Sequence, residues 1–119
     1  MGYYTHYTIF VYDCDVYEAE EIRQYLADKA GTPFDLWMTS DGATLVCREA
    51  TKWYECDLDM IDLSLMHPEA TFRVHGHGED YHDIWILYAK NGTIEHEDAR
   101  FVFDEPSFID SKYIFKGSE

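Results

Sequence analysis

"YTHYTIFVYDCDVYEAEEIRQYLADKAGTP" (residues 4–33) contains the change of period that decides the fold. Early in the stretch, Tyr7, Ile9 and Val11 alternate with Thr8, Phe10 and Tyr12, all aromatic or β-branched. That pattern predicts a strand buried on both faces. After Asp15 the spacing becomes helical, with Ala19, Ile22, Leu26 and Ala30 as the inward stripe. Asp15 is the expected N-cap, and acids crowd the first turns, where the helix dipole favours them. Gly31 and Pro33 end the segment, so a strand is followed by a helix over 16–30.

The chain outside this unit keeps alternating in the same way. "FDLWMT" (34–39) and "ATLVCRE" (43–49) flank Ser40-Asp41-Gly42, which reads as a hairpin because Asp-Gly supplies the positive φ of a tight turn. "DLDMIDLSLMHP" (57–68) returns to helical spacing. Leu58, Ile61 and Leu65 are its expected inward stripe, and Pro68 stops it. "ATFRVHG" (70–76), "HDIWILYAK" (82–90) and "TIEHEDARFVF" (93–103) read as three strands, the last two joined at Asn91-Gly92. Residues 104–119 carry Phe108, Tyr113, Ile114 and Phe115 and are expected to form a docked tail with a frayed end. The order is βαββαβ plus further strands. It predicts one α+β domain over 1–119: a ferredoxin-like antiparallel sheet with two helices on one face and extra C-terminal strands.

Composition narrows the function. The net charge is −15, from 24 acids against 9 bases. Such a charge repels nucleic acid and anionic membranes and steers the chain toward basic partners. Cys14, Cys47 and Cys56 are odd in number and far apart, and no secretory signal is evident, so reduced thiols in a cytoplasm are expected. No apolar run approaches a membrane span of ~20 residues. Gly2 lacks the Ser or Thr a myristoylation motif needs, His6 standing there instead, and the sequon at Asn91 is more simply a turn.

The most polar stretch is "RVHGHGEDYHDIW" (73–85). His75 and His77 share one side of a strand, and His82, His96 or Glu79 could complete a metal site. Against this, Gly76 and Gly78 suit a bulged or tightly turning backbone, and Glu79-Asp80 a solvated hairpin tip. The hairpin reading is preferred, so no metal ligand or cofactor is assigned. Nucleophile elbows and phosphate-binding glycine loops are missing, and no base is visible near Cys14 or Cys47. Carboxylate pairs among so many acids say little, so no catalytic residue is assigned and the chain is expected not to be an enzyme.

From about Thr51 to Phe103 the sequence shows T-x-W, a short helix ending in Pro, a strand, G-x-G-E-D-x-x-D-x-W and an Asn-Gly turn. The residues are Thr51, Trp53, Pro68, Gly76, Gly78, Glu79, Asp80, Asp83, Trp85, Asn91 and Gly92. This string resembles small phage, prophage and plasmid proteins with a ferredoxin-like domain of the YubB or Api92 type. The resemblance covers less than half of the chain and leaves out residues 1–50. It implies a fold and a mobile-element setting rather than a chemistry.

The acids gather in three groups. Glu18, Glu20, Glu21 and Asp28 belong to the first helix; Glu55, Asp57, Asp59 and Asp62 to the second. Glu79, Asp80, Asp83, Glu95, Glu97 and Asp98 belong to the terminal strands. If helix exteriors and the extra hairpin share a face, the result is a broad anionic surface with interleaved Tyr, suited to protein contact. The expected partner-binding residues are Glu18, Glu21, Asp59, Glu79, Asp80, Asp83, Glu95, Glu97 and Asp98. Together with the resemblance, they predict a phage-type protein that inhibits a host nucleic-acid-targeting defence complex, as an anti-CRISPR or DNA mimic. It would bind a basic host protein in competition with nucleic acid, in an oligomeric state left open. The alternatives are a structural or housekeeping domain of unknown ligand, or a metal-dependent enzyme built on the histidines.

Overall fold

The computed structural model of the chain describes residues 4–79 and 83–98. Along it run β1 (His6–Tyr12), α1 (Val16–Ala30), β2 (Phe34–Thr39), β3 (Gly42–Cys47), α2 (Cys56–Met66), β4 (Thr71–His77), β5 (Ile84–Lys90) and β6 (Thr93–Asp98). The expected continuation of the last strand to Phe103 and the tail at 104–119 lie outside the described residues.

Among the described residues the fold is α+β: a six-stranded antiparallel sheet, ordered β2-β3-β1-β4-β5-β6, with two helices. Helix α1 forms for the reasons its sequence gives. Asp15 Oδ1 accepts the Glu18 N–H at 2.8 Å, and Glu18 Oε1 accepts the Asp15 N–H at 3.4 Å, a reciprocal capping box. Gly31 closes the helix at φ 82°, its N–H donating to the Ala27 carbonyl at 3.0 Å. Ala19, Ile22, Leu26 and Ala30 are buried, as their spacing predicts.

The register puts the core on one side of the sheet. Ile9 sits between Leu45 and Val74, and Val74 opposes Leu87. These four, with Tyr7, Val11, Phe72 and Ala89, are buried beneath the helices. Helix α1 packs over β2 and β3, α2 over β5 and β6, and the helices touch each other, so both occupy this face. Strand β1 is therefore fully buried on one face rather than two. Thr8, Phe10 and Tyr12 point away from the helices and are half-buried.

Helix α2 lies where expected but is turned about its axis. Cys56, Met60, Leu63 and Ser64 face the core, whereas Leu58 is 59% exposed and Leu65 54%. Three polar anchors set this rotation. The Trp53 indole N–H donates to Asp59 Oδ2 at 2.7 Å, and the Tyr25 hydroxyl donates to the Asp59 carbonyl at 3.1 Å. The Gly92 N–H donates to Ser64 Oγ at 2.8 Å, tying the helix to the β5–β6 turn. That turn has Asn91 at φ 49° and Gly92 at φ 85°, the conformation its Asn-Gly pair predicts.

Gly76 is not in a bulge. It holds regular register opposite Trp85, whose indole lies across it where a Cβ would stand. Trp85 in turn packs edge-on to Tyr7 at 5.9 Å and stacks on His96 at 5.4 Å. Gly76→Ala is expected to cost about 1–3 kcal/mol through overpacking, read as a lower denaturant midpoint. Gly78 does close the hairpin, donating its N–H to the Asp83 carbonyl at 2.8 Å.

Candidate interaction surface

Amphipathic helices with their apolar stripe on a sheet turn their charged positions outward. Across α1 and α2 there are seven carboxylates and two bases, and α2 has no base. Glu21, Asp28, Asp57 and Asp62 are exposed, with Tyr17 and Tyr54 also exposed beside them at 81% and 74%. Two bases against seven carboxylates leave this layer acidic. Arg23 is paired with Glu20, and Lys29 lies over the Tyr25 ring at 5.5 Å. Where the C-terminal end of α1 meets the approach to α2, a groove of about 420 Å³ is lined by Asp28, Lys29, Lys52, Trp53, Tyr54 and Asp59 among others.

Of the nine acids expected to form one surface, the eight described are spread over different parts of the fold. Glu21 is on the helix layer. Glu18 is committed to the capping box and lies 3.4 Å from His67 Nδ1, and Asp59 is held by Trp53, so both act as scaffold. Glu79 accepts the Tyr4 N–H at 2.9 Å at the β4–β5 tip, and Asp83 is half-buried beside it. Asp80 lies outside the described residues. Glu95 and Glu97 pair with Tyr88 and Ile86, while the intervening His96 pairs with core residue Leu87. Strand alternation therefore places Glu95 and Glu97 on the face opposite the helices, with Asp98 on the helix side. The helix exteriors also carry exposed Asp28, Asp57 and Asp62, which the expected set omits.

The histidines divide likewise. His75 and His77 share the face away from the helices, with His77 opposite His6, but His96 lies on the other side, stacked on Trp85. His82 lies outside the described residues. Among the described residues, no three His, Cys, Asp or Glu are grouped to hold a metal ion. Instead, Arg73 spreads over Phe10 and Tyr12, 4.7 and 5.9 Å from their ring centres, and His75 meets Phe10 edge-on at 5.0 Å. Sequence reasoning missed this cation–aromatic cluster, because Phe10 and Tyr12 were assigned to a second buried face.

Among the described residues, His75 Nε2 is buried without a hydrogen-bond partner. Burial, and then the neighbouring Arg73 charge, hold its pKa below the ordinary 6.5. The neutral ring is thus favoured by folding, and the unfolded chain binds the proton more readily. Stability is expected to fall as pH drops from 6.5 through the lowered value, and His75→Gln to remove that part of the dependence. Urea titrations of both proteins over this range provide the check. Burial also raises the thiol pKa values of Cys14, Cys47 and Cys56. Cys47 Sγ accepts the Tyr7 N–H at 3.1 Å, a packing role.

Among the described residues, no helix is long and apolar enough to cross a membrane. The chain matches no family model, no curated protein and no solved structure.

Proposed function

We propose that this chain is an acidic, non-enzymatic inhibitor of mobile-element type, which occupies the basic nucleic-acid-binding surface of a host defence complex. The observation that carries the reading is the outer surface of the paired helices. Exposed Glu21, Asp28, Asp57 and Asp62 stand there among exposed tyrosines, without a matching set of bases. Carboxylates on a rigid layer take the place of phosphates, and tyrosine adds contact area at little entropic cost. A net charge of −15 supplies long-range attraction toward a basic groove. The resemblance of residues 51–103 to phage and plasmid proteins, read from the sequence, is the ground for the mobile-element setting, and action in the host cytoplasm is part of the proposal. Within this reading the fold is ferredoxin-like. Strands β2-β3-β1-β4 follow the split βαβ order, and β5 and β6 are added beyond β4.

The test is affinity capture from host lysate at low and high salt, followed by competition on the recovered protein. A nucleic-acid-binding target is expected, retained less well as salt rises, because exposed charges are screened within ~8 Å at physiological ionic strength. The bound target loses nucleic-acid binding, and a preformed target–nucleic acid complex resists inhibition. Recovery of nothing at either salt, or a target that still binds its nucleic acid, overturns the proposal.

A further inference from the structure

Helix α2 has two apolar faces; the fold uses one fully and the other only at its end, where Leu65 lies against Gly92 of the β5–β6 turn. Cys56, Met60, Leu63 and Ser64 close the core. On the opposite side Leu58 and Leu65 are more than half exposed, Met66 is 53% exposed, and Ile61 is half-buried between them. Leu58, Ile61 and Leu65 recur at helical spacing, so they make a continuous row along the outside of the helix. Exposed Asp57 and Asp62 flank that row, one on each side, while Asp59 is held by Trp53 and Tyr25. A contiguous apolar strip rimmed by charge is the anatomy of a protein interface, not of a solvated face.

We infer that the outer face of α2 seats a basic amphipathic helix of the partner. Its apolar row would lie on Leu58, Ile61 and Leu65, and its flanking Lys and Arg would meet Asp57 and Asp62. This rests on the reading of a basic partner and adds where that partner docks and what holds it. The acids set the encounter; the leucines set how long the complex lasts. Charge decides between occupants. A second copy of this chain would bring Asp57 and Asp62 against their own equivalents, a like-charge contact that a basic helix avoids.

The test uses the full chain and a synthetic 18-residue peptide of Leu and Lys at helical spacing, with a scrambled peptide of the same composition as control. Fluorescence anisotropy is expected to show the patterned peptide binding at least about 10-fold more tightly than the scramble. Leu58→Ser with Leu65→Ser is expected to abolish that preference, and Leu58→Ser alone to reduce it without disturbing the β5–β6 turn. Asp57→Lys with Asp62→Lys weakens both peptides. Equal binding of the two peptides, no binding of the patterned one, or indifference to the leucine substitutions overturns the inference. So does a homodimer that the leucine substitutions dissolve. If charge reversal still weakens binding while the leucines do not matter, the acidic-inhibitor reading stands and this docking site falls. If neither class of substitution matters, both fall.

Discussion

Leu63→Ala is expected to lower the unfolding free energy by about 2–5 kcal/mol, and Leu58→Ala by less than about 0.5 kcal/mol. Both leucines belong to α2, and by sequence spacing Leu58 has the stronger claim to the core. In the fold Leu63 is fully buried and Leu58 is 59% exposed. Truncating Leu63 removes buried methyl groups and leaves a cavity between α2 and the sheet, whereas truncating Leu58 removes groups that already touch water. Urea unfolding of each variant, with an unchanged slope, measures the difference. Comparable losses from both would mean that α2 is turned the other way, and the inference drawn from its outer face would fail with it.

Reversing Glu21, Asp28, Asp57 and Asp62 together to Lys is expected to slow association with the basic target by roughly 10- to 1000-fold at low salt. These residues are exposed, so the fold is retained. The effect falls on the association rate, because rim charges steer encounter more than they hold the complex. The control for reversing Asp57 and Asp62 alone is reversal of Glu95 and Glu97, two charges against two, since these stand on the opposite face of the sheet. If the helix layer is the surface that binds, their reversal changes the rate far less. If equal numbers of reversals on either face slow association equally, overall charge is responsible, and no particular surface imitates phosphate.

Much of this architecture was legible because local signals agreed. At α1, cap, first-turn acids, apolar stripe and terminal glycine all specify the same helix, and the structure follows each of them. The Asn91-Gly92 turn was equally plain, since few residue pairs tolerate two positive φ values in succession. Helix α2 shows where such reading stops. Apolar residues surround its axis, so spacing allows two stripes, and the choice rests on hydrogen bonds from Tyr25 and Gly92, distant in sequence, and from Trp53 just before the helix. The convergence of acids was beyond reach for a related reason. Whether Glu95 and Glu97 face the helices depends on strand register, and a shift of one residue would exchange them with His96. Glu18 and Asp59 looked like free surface charge, yet a cap and an indole claim them.

The central position of β1 has a consequence for how the chain is made. Among the described strands β1 is synthesised before the others, but one of its two neighbours is β4, with His6 pairing to His77 and Tyr12 to Thr71. Until residue 77 has emerged, β1 keeps a bare edge lined with aromatic and β-branched residues, the kind of template on which other strands add. The β2–β3 hairpin can cover one side early; the other waits for most of the domain. Sheet closure therefore depends on contacts distant in sequence, which slows folding and leaves the nascent chain reliant on its charge to stay apart from others. The acids would then serve the protein before it has any surface with which to bind.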